Sequence, residues 1–137
     1  MKQMTSDFGE LTVTYPKDCG NAPKKLVLRD FHIAVAQNDI DFISEQLTDD
    51  SKWELIGQQL IEGKQNMLEA IEQMDHRKIL KLEIDHIITH GKITSINGHW
   101  TLDNEETYAF CHVHVFNNFS KQAKIKKTTS YVIQTSS

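Results

Sequence analysis

The chain has 137 residues, of which 39% are hydrophobic and 25% charged, and its formal net charge is −4. This length suits one domain with a substantial core, and the composition is typical of a globular protein rather than a disordered one. The negative net charge gives no attraction for a phosphate backbone, and no apolar stretch is long enough for a membrane helix. We therefore expect neither a nucleic-acid partner nor a membrane partner.

The two cysteines indicate a reducing environment. Cys19 lies in a loop flanked by Gly and Pro, whereas Cys111 lies in an apolar segment, so their spacing is not that of a disulfide framework. The N-terminus has no apolar signal segment. These features predict two free thiols in a cytoplasmic protein.

The first half of the chain is predicted to contain the helices. The polar residues 1–7 are expected to be frayed, and Leu11–Tyr15 alternates apolar and polar residues as a short strand does. Pro23 suits the first turn of a helix that runs to Gln37, because its missing N–H needs no partner there. A short second helix is predicted at residues 40–47.

Two short extended segments and a third helix are predicted next. The turn-forming residues 49–51 precede a strand at residues 52–56, and residues 61–63 form a brief extended piece. The third helix begins at Gly63 and ends near Asp75, with its apolar residues on one side.

The chain from about residue 77 onward is predicted to form strands. The runs are Ile79–His90, Ile93–Leu102, Thr107–Asn117 and Lys124–Gln134, and the segments between them are short and turn-like. Helices followed by a meander of antiparallel strands are typical of an α+β fold with helices on one face of a sheet.

Three segments carry a resemblance to a known superfamily. They are Asn38–Asp41 after the first helix, Leu47–Trp53 before the first core strand, and Ile61–Met67 at the start of the third helix. In this order the sequence resembles the nuclear transport factor 2-like superfamily, in its SnoaL-like and ketosteroid-isomerase-like branch. The resemblance implies an α+β, cone-shaped (cystatin-like) fold with about three N-terminal helices on a curved, mainly antiparallel sheet. It divides the chain into an N-terminal extension with a short strand, 1–22, and a SnoaL-like domain, 23–137.

The resemblance also allows a test for catalysis. Ketosteroid isomerases use an aspartate base, a tyrosine on the first helix and a second, protonated carboxyl. Aligned without gaps, these positions fall on Leu55, Phe31 and His112 of this chain. Two of the three are apolar and can neither move a proton nor donate a hydrogen bond, so the ketosteroid isomerase mechanism is not expected. His112 is then the best candidate for a catalytic residue.

Strand periodicity assigns residues to the two faces of the predicted sheet. With a tight hairpin at residues 91–92 and a two-residue turn within 103–105, one face carries His86, Ile88, His90, Ser95, Asn97, His99, Tyr108, Phe110, His112, His114 and Phe116. The opposite face carries Ile87, Ile96, Gly98, Trp100, Leu102, Ala109, Cys111, Val113 and Val115. Periodicity leaves open which face lies inside, whereas the resemblance places the histidine face beneath the helices.

With the histidine face inside, a ligand pocket is expected between the helices and the sheet. Its expected residues are Phe31, Trp53, Leu55, Asn97, His99, Tyr108, Phe110, His112 and His114. His32 and His76 are interpreted as structural or exposed. The pair His112 and His114 could contribute to a metal site, but no carboxylate or cysteine shares their side of the strands. We therefore expect no metal and no cofactor.

The apolar face would be exposed in a monomer of this fold. Its stripe of residues predicts a homodimer contact made of Ile96, Trp100, Cys111, Val113 and Val115.

Three functions remain open from the sequence. The first is a small-molecule-binding domain whose ligand is apolar or aromatic, with His112 and His114 as its polar contacts. The second is a SnoaL-like isomerase, cyclase or dehydratase in which His112 acts as acid or base. The third is a dimeric interaction module without catalysis.

Overall fold

The computed structural model describes residues 3–17, 23–73, 78–120 and 122–136. Within these ranges the helices are α1 Pro23–Gln37, α2 Ile40–Glu45 and α3 Lys64–Gln73. The strands are β1 Gln3–Phe8, β2 Leu11–Pro16, β3 Leu47–Leu55, β4 Gln59–Glu62, β5 Ile79–His90, β6 Ile93–Leu102, β7 Thr107–Phe116 and β8 Ile125–Gln134.

These strands form one eight-stranded sheet in the order β1-β2-β5-β6-β7-β8-β3-β4. Neighbouring strands are antiparallel, except that β2 pairs parallel with β5 and β3 pairs parallel with β8. One face of the sheet is covered by helices, because α1 packs on β5 and α3 packs on β3. The structure confirms the expected α+β fold, in which a few helices pack on a large, curved, mainly antiparallel sheet.

The core lies between the helices and the covered face of the sheet. Leu28 and Phe31 of α1 and Met67 of α3 are buried in one cluster with Ile84 and Ile96 of the sheet. Removing this apolar surface from water is the main term that stabilises such a fold. Among the described residues, no helix combines the length and the apolar character that crossing a membrane requires.

The N-terminal segment forms two strands where the sequence predicted one. Residues Gln3–Phe8, of which most were expected to be frayed, pair with β2 as the edge strand β1. β2 in turn pairs with β5, and its Leu11 and Val13 side chains are buried in the core. The expectation was wrong for β1 because its side chains are mostly exposed, so the strand has no apolar alternation to reveal it.

The first core strand begins earlier than the sequence predicted. Residues 49–51, interpreted as a turn, lie inside β3 at an irregularity in its pairing with β8. Within this irregular stretch the buried Ser51 hydroxyl donates a hydrogen bond to the carbonyl oxygen of Ile125, at 3.0 Å. A bulge of this kind accommodates turn-forming residues without ending the strand.

The loop between β6 and β7 reverses the face assignment that was made from the sequence. The last pair of this ladder is Thr101 with Thr107, so residues 102–106 form a loop of odd length instead of the predicted two-residue turn. A shift of one residue in register turns every side chain of one strand to the other face. As a result, His112 lies directly opposite Ile96, on the covered face of the sheet.

The corrected register separates residues that the sequence had grouped together. Ile96 and Trp100, expected at a dimer contact, lie beneath the helices on the same face as His112 and His114. The outer face of β5, β6 and β7 carries His86, His90, Asn97, His99, Cys111, Val113 and Val115. The expected face with five histidines is therefore wrong, because the covered face of the sheet keeps two of them.

The structure describes one of the two cysteines. Cys111 has a free, half-buried thiol on the outer face. Cys19 and His76 lie outside the described residues.

Candidate functional site

A cavity of about 590 Å³ lies between α1, α3 and the covered face of the sheet. This volume is within the range of about 300–1,000 Å³ that is typical of small-molecule sites. Its ring-bearing lining residues are Phe31, His32, Trp53, Trp100, Phe110, His112 and His114. Exposed polar residues mark its open side, and these include Asn38, Gln58, Gln59, Glu72 and Lys78.

Most of the expected pocket residues lie in the cavity wall. Those found there are Phe31, Trp53, Leu55, Phe110, His112 and His114. The expectation was wrong for Asn97 and His99, which the odd-length loop turns to the outer face of the sheet. Tyr108 is on the covered face, where its ring stacks on Trp100 at 5.8 Å, but it is not among the lining residues.

His32 lines the cavity, although it was interpreted from the sequence as structural or exposed. It lies on α1, is only 8% exposed, and stacks on His112 with ring centroids 4.8 Å apart and an interplanar angle of 13°. The signal in the sequence was its position on the apolar stripe of the helix, between Leu28 and Val35. One polar residue in such a stripe is equally typical of a satisfied core histidine, so the helix alone could not identify it.

Two chains of hydrogen bonds connect these histidines to side chains of β3 and β8. In the first, Trp53 Nε1–H donates to Ser130 Oγ at 2.8 Å, and Ser130 Oγ lies 2.7 Å from His112 Nδ1. In the second, Thr128 Oγ1 lies 2.8 Å from His114 Nδ1, and His114 Nε2 lies 3.0 Å from His32 Nε2. Because both hydroxyls come from β8, identifying them required the register of β7 with β8.

Burial makes all three imidazoles neutral at physiological pH. Loss of hydration lowers the pKa of His112 from 6.5 to about 4. The pKa of His114 is also lowered well below 6.5, first by burial and then by the charge that His112 would carry. Burial is likewise the largest cause of the lowered pKa of His32, followed by the neighbouring His112 and His114. The site therefore offers neutral hydrogen-bonding groups rather than positive charge.

Flat rings form one wall of the cavity. Trp100 stacks on Phe110 at 5.2 Å, Phe110 stacks on His112 at 5.0 Å, and His112 stacks on His32. Phe31 meets His32 and His114 edge to face, at 5.4 and 5.7 Å. Continuous stacks of this kind present a broad apolar surface to a planar ligand.

The histidines do not form a metal site in this arrangement. Among the residues that the structure describes, no three His, Cys, Asp or Glu side chains are placed to hold a metal ion. His32 and His114 instead direct their Nε2 atoms at each other in a hydrogen bond.

Solved structures share this fold. The chain has the nuclear transport factor 2-like fold. A nuclear transport factor 2-like protein of unknown function from Burkholderia xenovorans LB400 is 17% identical, with a TM-score of 0.68 over 87% of this chain and 89% of that one. No family model matches the sequence, and no curated protein matches it.

Two further nuclear transport factor 2-like neighbours have names that mention an activity. A provisionally named ketosteroid isomerase from Kribbella flavida DSM 17836 is 11% identical, with a TM-score of 0.67 over 84% of this chain and 81% of that one. A provisionally named SnoaL-like polyketide cyclase from Shewanella denitrificans OS-217 is 9% identical, with a TM-score of 0.65 over 80% and 89%. At these identities the likeness establishes the fold, and function has to be argued from the site.

Proposed function

We propose that this nuclear transport factor 2-like domain binds a small, uncharged, largely aromatic molecule in the cavity between α1, α3 and the sheet. The observation that supports this most directly is the stack of flat rings next to three neutral imidazoles in one wall. A charged ligand would lose its hydration on entering and would find no opposite charge among these groups. A planar apolar ligand would bury its surface against the stack at little cost.

The polar contact is made by His112. Its Nδ1 is hydrogen-bonded to Ser130, whereas its Nε2 has no partner among the described residues. A hydroxyl or carbonyl group on the ligand would supply that partner. His114 is less available, because both of its ring nitrogens are already hydrogen-bonded, to Thr128 and to His32.

The proposed role is binding rather than the proton transfer of ketosteroid isomerases. Leu55 and Phe31, at the positions where the resemblance expects the base and the tyrosine, both line the cavity and have no ionisable group. A ligand bound here would meet hydrocarbon at both positions.

A screen of planar aromatic fragments tests the proposal. Ala36 lines the cavity, so Ala36→Trp should occupy part of it with an indole ring. Lys25→Trp places the same ring on the same helix at a half-buried position outside the cavity wall. Fragments that raise the melting temperature of the wild type should act equally on Lys25→Trp and lose their effect on Ala36→Trp. The proposal is wrong when no fragment binds, or when binding is the same for both variants.

The second candidate is catalysis, with His112 as acid or base in an isomerase, cyclase or dehydratase. The observation that favours it is that Nε2 of His112, a residue of the largely apolar cavity wall, has no partner among the described residues. An enzyme of this kind would exchange the hydrogens next to a ligand carbonyl. Acetylnaphthalene incubated with the protein in heavy water should then gain deuterium in its methyl group, and His112→Gln should abolish the gain. Exchange at the rate of buffer alone would leave binding as the function.

A further inference from the structure

The two hydrogen bonds that join Trp53, Ser130 and His112 determine where the hydrogen atoms of these side chains lie. An indole nitrogen can only donate, so the Ser130 oxygen accepts from Trp53. Ser130 has one hydroxyl hydrogen, is only 1% exposed, and has no side-chain partner other than Trp53 and His112 among the described residues.

Two arrangements of His112 are then conceivable, and they differ in what Ser130 does. When the imidazole hydrogen is on Nε2, the Ser130 hydroxyl donates to the bare Nδ1, and the Nε2 hydrogen is left for a ligand or water in the cavity that His112 lines. When the hydrogen is on Nδ1, Ser130 accepts two hydrogen bonds and its own buried hydroxyl hydrogen has no acceptor. A buried donor without a partner is strongly disfavoured, so the first arrangement is the stable one.

We infer that Trp53 and Ser130 are positioning residues that hold His112 with its hydrogen on Nε2, so that the cavity selects ligands presenting a hydrogen-bond acceptor such as a carbonyl oxygen. The second half of this statement rests on the proposed function. The first half concerns the protein alone and can be measured without any ligand. An Nε2 that already carries a hydrogen cannot take a proton from a ligand, so this arrangement also opposes a role for His112 as a base.

The neighbouring chain of hydrogen bonds runs from Thr128 through His114 to His32 and differs in its partners. His32 and His114 face each other through their Nε2 atoms, and one of the two nitrogens carries the hydrogen. The Thr128 hydroxyl can either donate to His114 Nδ1 or accept from it, and it has no other side-chain partner among the described residues. Among the described residues, no donor-only group like Trp53 is hydrogen-bonded to Thr128, so its hydroxyl lacks the second contact that orients Ser130.

Nitrogen-15 spectra of the imidazole rings at neutral pH test the positioning role. In the wild type, His112 should give one protonated nitrogen, Nε2, and one bare nitrogen, Nδ1. Ser130→Ala removes the donor to Nδ1, so the signals of the two nitrogens should move toward each other as the second form becomes populated. Thr128→Val removes the equivalent hydroxyl from His114, two residues along β8, and should leave the His112 signals unchanged.

Two results would overturn the positioning role. One is a wild-type His112 whose hydrogen is on Nδ1 or is shared between both nitrogens. The other is a Ser130→Ala protein that is folded and keeps the wild-type signals. Where Ser130→Ala does not fold, the wild-type spectrum and Trp53→Phe, which retains an aromatic ring but no donor, decide the question.

A matched pair of ligands tests whether the cavity selects a hydrogen-bond acceptor. Acetylnaphthalene and isopropenylnaphthalene have nearly the same shape, but the carbonyl oxygen of the first is a methylene group in the second. One neutral hydrogen bond should make the ketone bind about fivefold more tightly to the wild type. Ser130→Ala should weaken this preference, whereas Thr129→Ala, adjacent on β8 with its side chain on the outer face, should retain it.

The outcomes separate the inference from the proposed function. Equal affinity for the two compounds overturns the selection and leaves the binding proposal standing. Binding of neither compound, together with His112 protonated on Nε2, contradicts the proposed aromatic ligand and supports the positioning role of Trp53 and Ser130.

Discussion

The three buried histidines define the site at the scale of single residues. His32, His112 and His114 are each almost inaccessible, yet the described residues around them include no carboxylate that could form an ion pair with an imidazolium. The charged groups that share the cavity lining are the exposed Glu72 and Lys78, at its open side. The imidazoles can therefore be buried in the folded protein only as neutral rings. The stability of the protein consequently depends on pH.

The first prediction is that the fold loses stability in mild acid. In the unfolded chain His112 titrates near 6.5, whereas burial lowers its pKa to about 4 in the folded state. Between these values the unfolded state binds more protons, so the stabilisation is complete above 6.5 and is lost as the pH falls toward 4. His112 alone should lower the free energy of unfolding by about 3 kcal/mol over this range, and His32 and His114 act in the same direction. Urea denaturation at a series of pH values measures the decline.

Two variants isolate the contribution of the buried ring. His112→Gln should make the decline of stability with falling pH shallower. His90→Gln, which removes an exposed imidazole on the outer face of the sheet, is the control variant. A decline of equal steepness in all three proteins would contradict a lowered pKa for His112.

At the scale of elements, the sequence predicted the bounds of the strands far better than the face of the sheet on which each side chain lies. The bounds of β5 and β6 were predicted as observed, because apolar residues and short turns delimit them clearly. Their mutual register followed from the tight hairpin at residues 91–92 and was also right near that turn. The register of β6 with β7 was wrong, since turn-forming residues at 103–105 do not reveal whether a loop has an odd or an even length.

The one-residue error in the register of β6 with β7 decided how much of the site could be predicted. Phe31, Trp53 and Leu55 were placed correctly because they come from elements outside the misjudged hairpin. His112 and His114 were placed by the resemblance, which does not depend on that loop. Asn97 and His99 were misplaced with β6, and Ser130 and Thr128 could be found only once β8 had been paired with β7.

The second prediction concerns the bulge in β5, where Asp85 lies between the pairs Ile84–Gly98 and His86–Asn97. A Cβ atom on Gly98 would overlap the carbonyl oxygen of Glu83, which is backbone and cannot move aside alone. Gly98→Ala should therefore lower the free energy of unfolding by about 1–3 kcal/mol, as overpacking does.

Chemical denaturation of paired variants provides the measurement. Asn97→Ala, the adjacent position on the outer face, should change stability by about 0.5 kcal/mol or less. A Gly98→Ala protein as stable as the wild type would show that the two strands do not approach each other this closely.

At the scale of the whole molecule, the sheet has a face that its own helices do not cover. After the correction of the register, Cys111, Val113 and Val115 of β7 remain on this outer face, whereas Ile96 and Trp100 lie inside. Exposed apolar side chains of the adjoining strands extend the patch, and these are Ile88, Ile93, Tyr131 and Ile133. Ile88 is 62% exposed and Ile133 is 68% exposed, which is costly for side chains of this size.

The third prediction is that this outer face forms a homodimer. A two-fold contact brings the same patch from both copies together, and it buries the apolar residues of four strands at once. A stable contact needs about 800 Å² from each partner, which requires most of such a sheet face. The wild type should therefore be a dimer by light scattering at micromolar concentration. Val113→Lys places a charge in the middle of the patch and should give a monomer, because the buried charge would have no partner.

Leu60→Lys is the matched control for the dimer. Leu60 is also exposed, at 51%, but it lies on β4, at the far edge of the sheet from β5 and β6. The same substitution there should leave the mass of the dimer unchanged, since it adds the same charge away from the patch. A wild type that is monomeric at every concentration, or a loss of the dimer in Leu60→Lys with its retention in Val113→Lys, would show that the outer face is not the contact. In that case the apolar residues of β5 to β8 would have to be covered by a partner other than a second copy of the chain.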